Sequence, residues 1–215
     1  MKILRIPGLI FISFLFFSAG CSIRNYRLSD LKDSSTASPL QPVFDDTFTT
    51  ALFKAQVDLY GKHFGGLLFL KSMNDSSYRL IMTTETGMQL FDMEIAPDTM
   101  IVHQCFEQLN RDAVIKTIET DFRLILMEDA LKETPVMLKD ENSHHTVYRM
   151  KEGKKLTYYF IENKTGYLDR IERASPWFKK ISVSLDQHEH GMANRIIFKH
   201  HNIRLEIRLR LLKKS

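Results

Sequence analysis

Cysteine is nearly absent from these 215 residues: Cys21 and Cys105 are the only two. No Cys-x-x-Cys pair occurs, and once Cys21 is committed elsewhere, as argued below, no intramolecular disulfide can form. An excess of charge is lacking as well. Thirty Lys and Arg face 26 Asp and Glu, which leaves no basic footprint of the kind that binds nucleic acid. After Phe17 no stretch is both apolar and long enough to cross a bilayer as a helix. The chain has no Gly-x-Ser-x-Gly elbow, no glycine loop for phosphate and no His-Glu-x-x-His helix. Its histidines come as neighbours: His144–His145, His188–Glu189–His190 and His200–His201. Such neighbours on a strand or turn share no metal-binding face, and His188–His190 reads as a solvated loop. No acidic pair stands out as a general acid and base. Asp92, in phase with Met88 and Leu90, reads as a strand-end hydrogen-bonding group. The residues therefore point to no enzyme, no metal and no cofactor.

What is present begins at the N-terminus. Lys2 and Arg5 precede the apolar run Ile6–Phe17, and the small residues Ser18, Ala19 and Gly20 lead into Cys21. This is the layout of a secretory signal, residues 1–20, followed by a processing site. The small-small-Cys ending resembles a bacterial lipobox, with Ser18 where leucine is usual. A thiol at that position can form the thioether to diacylglycerol, so Cys21 is expected to be the lipidated first mature residue. A conventional signal with a nearby cysteine is the alternative. Each buried acyl methylene contributes about 0.8 kcal/mol to anchoring. Losing Lys2 and Arg5 leaves the mature chain with a net charge of only +2. Cys105, beside Phe106, reads as a small buried apolar residue.

Residues 21–46 are rich in Ser, Thr, Asp, Pro and Lys. That composition predicts a flexible tether between the lipid and a single domain, residues 47–215. From Leu52 the pattern becomes period two. Phe53, Ala55, Val57 and Leu59 alternate with Lys54, Gln56, Asp58 and Tyr60, as in a half-buried strand. His63–Lys71 follows, then Tyr78–Thr83 and Met88–Ile95 around a turn in which Gly87 takes positive φ, then Thr99–His103. After a connector at Glu133–Asn142, strands resume at His145–Met150, Lys155–Ile161, Tyr167–Arg173, Lys179–Leu185 and Asn194–Lys199. In the last one Ile203, Leu205, Ile207, Leu209 and Leu211 oppose charged residues. About eleven strands result, five before and six after one helix. No βαβ alternation occurs, so the fold class is mainly β, a curved antiparallel sheet or half-open barrel.

The helix spans Asn110–Met127, with Asn110 as its N-cap and Asp112 in its first turn. Val114, Ile118, Phe122 and Ile125 form its apolar stripe, widened by Ile115 and Leu126. It reads as a lid across the barrel mouth, the alternative being an ordinary core helix. The strands add Phe64, Leu68, Leu80, Met82 and Met88 as candidate cavity residues. The many methionines suit a wall that adapts to acyl chains of different length. A packed β-core would use the same residues.

Two stretches, VDLYGKHFGGLLFLKS at Val57–Ser72 and SYRLIMTTETGMQLFDMEI at Ser77–Ile95, followed by the helix, resemble the LolA/LolB-like lipoprotein-localisation fold. The likeness covers most of residues 48–211. It implies a half-open barrel of about eleven strands, a helical lid and binding of lipid or lipoprotein acyl chains, with a periplasmic carrier protein as partner. It also implies a gating role for Arg79. Cys21 brings the chain nearer the lipid-anchored receptor than the soluble carrier. The receptor's exposed apolar loop residue has no match in the polar turn Thr84–Gly87, and only Met88 lies at its end. Ser22, which is not acidic, favours the outer membrane, facing the periplasm, over inner-membrane retention. The competing reading is a structural or interaction lipoprotein with a packed core that docks an envelope partner.

Overall fold

The computed structural model describes residues 32–34, 40–44, 47–128, 130, 135–139, 144–189 and 192–215. The signal and Cys21 lie outside the described residues. The strands are β1 (Lys32–Ser34), β2 (Thr50–Leu59), β3 (Lys62–Ser72), β4 (Tyr78–Thr84), β5 (Gln89–Ile95) and β6 (Met100–Cys105). The helix α1 (Asp112–Leu126) follows. Then come β7 (Val136–Lys139), β8 (His145–Glu152), β9 (Lys155–Glu162), β10 (Leu168–Ala174), β11 (Lys179–Glu189), β12 (Met192–His200) and β13 (Leu205–Lys214). The thirteen strands form one sheet in the order β1-β7-β8-β9-β10-β11-β12-β13-β2-β3-β4-β5-β6, and every pair is antiparallel.

The eleven expected strands are β2–β6 and β8–β13. The two further ones are short: β1 lies in the expected tether and β7 in the expected connector. Across α1 the chain passes from edge strand β6 to β7 near the other edge and advances again in the same direction, so its first and second halves meet where β13 pairs with β2. Leu209 opposite Ala55 and Ile207 opposite Val57 put the apolar phase of both strands on one face. Register shifts at Met82/Thr83, Asp92/Met93, Arg173/Ala174 and Leu211/Lys213 bend the strands. The curved sheet stays open, with β1 and β6 as its edges. Gly66 lets β3 approach β4: a Cβ there would stand 2.1 Å from the Thr83 carbonyl oxygen. Gly87 has φ +89°, as its turn requires.

The concave face carries the main core, built from Phe53, Leu70, Met93, Val183, Phe198 and their neighbours, all almost wholly buried. A smaller cluster, including Leu138, Val147, Tyr158 and Phe160, sits apart from it. Full burial of one such side chain contributes about 1.5–3 kcal/mol.

Two expectations change at the helix and the tether. Arg111, not Asn110, stands at the N-cap, and it makes no side-chain cap bond. A Ser, Thr, Asp or Asn cap is worth about 1 kcal/mol, so the first turn of α1 is weakly fastened. The packed body also starts before residue 47. Leu40, Val43, Phe44 and Phe48 are buried in the main core, with the Phe44 and Phe48 rings 4.7 Å apart. These isolated apolar side chains sit in a polar stretch whose average composition reads as tether, but the sheet gives them a surface to pack on.

Candidate functional site

An antiparallel sheet with one apolar concave face needs a second layer, and here the helix together with Leu40, Val43, Phe44 and Phe48 supplies it. The left-handed turn at Met127, φ 56°, ends α1, and the Met127 N–H donates to the Arg123 carbonyl at 3.1 Å. Phe122, Leu124, Ile125, Leu126 and Met127 are buried, whereas Val114, Ile115 and Ile118 in the first half are only half-buried. Ile115 and Ile118 pack against the core and Val114 does not. The working stripe is therefore Ile115, Ile118, Phe122 and Ile125, turned slightly from the expected one. Phe122 meets Phe198 of β12 with ring centroids 6.0 Å apart.

The remaining sequence-derived residues divide clearly. Leu68, Leu80 and Met82 are buried in the same core as Phe122 and Ile125. Phe64 shares the face of Leu68 but is 44% exposed, and Met88 is 48% exposed beside the β4–β5 turn. Met88 thus lies outside the packed interior. Arg79 alternates with Leu80 and so faces away from the concave side. There it donates to Asp92 at 2.9 Å and to Glu94 at 3.2 Å. Glu94 also accepts from Ser77 at 2.9 Å and pairs with His103 at 3.0 Å. The Ser77 hydroxyl and then His103 hold its carboxyl below the usual range. This cluster ties β4, β5 and β6 together on the convex side, so Arg79 is not placed to gate the interior. His188 is likewise not in a solvated loop. It lies in β11, stacks on Tyr167 with centroids 4.6 Å apart and is 3.1 Å from the Leu168 carbonyl. No cluster of three or more metal-ligating side chains occurs among the described residues.

Two polar attachments that the sequence did not reveal fix α1 to the sheet. Arg123 reaches the β5–β6 turn and donates to the carbonyls of Ala96, Pro97 and Thr99 at 2.8, 3.2 and 3.0 Å. It also pairs with Glu119 at 3.0 Å and Glu128 at 2.6 Å. The second attachment is Asp121, fully buried in the middle of the helix, whose Oδ2 lies 3.0 Å from Nε2 of His200 at the end of β12. Its Oδ1 is buried with no hydrogen-bond partner among the described residues. Burial pushes the Asp121 carboxyl above its usual range, against the opposing pull of His200 and Arg173. No sequence period marks Asp121 as internal, because a polar residue beside the stripe is normally read as solvated.

A carboxyl whose folded pKa is raised stabilises the fold fully below its ordinary value of 3.8. It loses that contribution as pH rises through the folded value. Asp121→Asn keeps the shape and a hydrogen bond to His200 but cannot ionise. Its melting temperature at pH 7.5 should therefore exceed that of the parent. The gap should close as pH approaches 4. A variant less stable than the parent at pH 7.5 would show instead that the charged pair holds the helix down.

Between the 40–43 segment and the β10–β11 region, lined by Val43, Leu168, Leu185 and Ala193, remains a cleft of only about 20 Å³. The interior there is filled by the chain itself. On β3 and edge strand β6, by contrast, the concave face is incompletely covered. Phe64 is 44% exposed and Val102, which pairs with buried Met93, is 37% exposed.

No family model and no curated protein matches the sequence. Solved structures do. A LolA superfamily protein from Nitrosomonas europaea superposes with a TM-score of 0.56 at 7% identity, over 80% of this chain and 88% of that one. A DUF1329 family protein from Desulfovibrio piger gives 0.48 at 10% identity, over 79% and 86%. A candidate outer membrane lipoprotein-sorting protein domain from Vibrio parahaemolyticus gives 0.44 at 10%, over 80% and 86%. The first of these, together with the open thirteen-stranded sheet and its covering helix, makes the fold LolA/LolB-like.

Proposed function

We propose that this is a non-enzymatic, lipid-anchored protein of the bacterial envelope that takes up lipid or lipoprotein acyl chains on its concave face. The observation that carries the reading is the cover of that face. Helix α1 and a chain segment close it, the first helical turn has no side-chain cap, and the face is uncovered at two separate places, Phe64 on β3 and Val102 on edge strand β6. An acyl chain enters there, displaces residues 40–44, Phe48 and the first half of α1, and takes their place on the concave face. Binding exchanges one apolar occupant for another, so its cost is chiefly the ordering of the chain and the release of the plug. The Asp121–His200 and Arg123 attachments keep the second half of α1 seated during the exchange. Lipid on Cys21 would hold the body at the outer membrane on its periplasmic side, where a periplasmic carrier protein delivers the cargo.

The filled interior favours a second reading, an interaction lipoprotein with a permanently packed core. One variant separates them. Cys21→Ser should leave the membrane fraction when the membranes are washed in high salt. Purified, it should carry co-purified lipid in native mass spectrometry and bind a fluorescent fatty-acid probe at micromolar concentration. Absence of both lipid and probe binding would sink the acyl-chain reading and leave the packed-core one. Retention in the membrane would rule out Cys21 as the principal anchor.

A further inference from the structure

Four connections lie side by side at one end of the sheet, and their register fixes them there. Glu152 pairs with Lys155 at the β8–β9 turn, and Leu156 pairs with Ala174. Ala174 pairs with Lys179 across the β10–β11 turn, Ile181 with His200, and Leu205 with Leu59 next to the β2–β3 turn. Backbone bonds stitch neighbouring connections together: the His201 N–H donates to the Lys180 carbonyl at 2.8 Å, and the Tyr60 N–H to the Arg204 carbonyl at 2.9 Å.

This end combines two properties that seldom coincide on a solvated surface. Two of its four tips are aromatic, with Tyr60 66% exposed on the β2–β3 turn and Trp177 57% and Phe178 51% exposed on the β10–β11 turn. It is also strongly basic. Segments 59–62, 151–155, 175–180 and 199–204 together hold eight Lys and Arg against the single acid Glu152. Nearby Glu172 is taken up by one of these eight, Lys179, at 3.0 Å, Asp58 and Glu206 by Arg208 at 2.6 Å each, and Glu85 of the adjoining β4–β5 turn by Lys54 at 3.0 Å. The turns at the opposite end, 73–77, 96–99 and 163–167, carry Asp75 and Asp98 against Lys164. Lys213 and Lys214 close β13 at that opposite end as well, so both ends carry cations and the aromatic one holds the larger excess.

We infer that this aromatic-tipped basic end docks on an anionic phospholipid surface. Trp and Tyr partition to the headgroup region, where an apolar ring and a polar edge are both satisfied. Flanking lysines add attraction to an anionic leaflet, each worth about fivefold in partitioning. The Ser175–Phe178 turn is closed by its own bonds, with the Ser175 N–H donating to the Phe178 carbonyl at 2.9 Å. Insertion therefore needs no refolding. The site is separate from the concave face and does not rest on the acyl-chain reading. An acidic protein partner would use the same charges, but it gives no reason for three exposed aromatic side chains.

Trp177 is the only tryptophan in the chain, so its fluorescence reports the contact directly. The unlipidated mature chain, residues 22–215, retains every described residue. It should bind vesicles of phosphatidylcholine containing phosphatidylglycerol with a shift of Trp177 emission to shorter wavelength. Pure phosphatidylcholine vesicles should give much less. Lys154→Glu with Lys180→Glu should weaken partitioning at least 25-fold, by the same ~fivefold per lysine. Trp177→Ala with Phe178→Ala, followed by co-sedimentation, should abolish stable association. High salt should weaken binding, since the Debye length falls to ~3 Å at 1 M. No emission shift on anionic vesicles would overturn the inference. So would binding that survives both double variants, or capture by an acidic protein without vesicle binding.

Discussion

Truncating Phe44 and Phe48 together to alanine is expected to lower the unfolding free energy by about 5 kcal/mol and to raise the affinity for a fatty-acid probe. One buried Phe→Ala usually costs ~3–5 kcal/mol, from lost transfer energy plus the cavity left behind. The pair should cost less than twice that, because the rings touch each other at 4.7 Å and part of the loss is shared. The gain in binding has the same origin. Phe44 and Phe48 belong to the cluster that includes Leu70, Leu80 and Met93, so their removal leaves an apolar hole that an acyl chain can fill without first expelling a plug. Urea unfolding measures the first effect and probe titration the second. Since whole domains carry only about 5–15 kcal/mol, Phe48→Ala alone is the safer companion, with ~3 kcal/mol expected. A change below about 1 kcal/mol would mean that the segment is not part of the core.

Arg123→Ala is the second large change, with an expected loss of about 3 kcal/mol. The guanidinium satisfies three turn carbonyls and two carboxylates at once. Hydrogen bonds to a charged group are worth about 1.5–3 kcal/mol each, but they share one side chain and are not additive. Arg123→Lys should not restore the loss, because an ammonium has no planar fork to span Ala96, Pro97 and Thr99. Amide hydrogen exchange should reveal the effect locally, with faster exchange along α1 and the β5–β6 turn and little change in β8–β12. If the helix is a lid, the same variant should also take up probe faster. Uniform acceleration across the sheet would identify α1 as an inseparable part of the core.

The strands were legible because one solvated face imposes alternation. Lys54, Gln56, Arg208 and Arg210 mark their strands as plainly as Phe53, Ala55 and Leu209 do, and β2–β6 and β8–β13 fall where the alternation puts them. β1 and β7 were not legible. Lys32–Ser34 has no apolar phase and Val136–Lys139 is short, and each exists because an edge offers unpaired backbone groups. The candidate site was readable only in part. Leu68, Leu80, Met82, Phe122 and Ile125 meet in one core, while Met88 is exposed and Arg79 faces the other side. A strand's phase assigns residues to two faces, but only the curvature of the whole sheet says how far cover extends along each face.

The sequence by itself determined the mainly β class and the amphipathic helix between two runs of strands, since both are written in local periodicity and composition. Tertiary structure alone decided that Leu40, Val43, Phe44 and Phe48 fill the interior and that Asp121 is buried against His200. It also brought four basic connections to one aromatic-tipped end. Each of these depends on which distant strands lie side by side, and antiparallel register, not local pattern, fixes that.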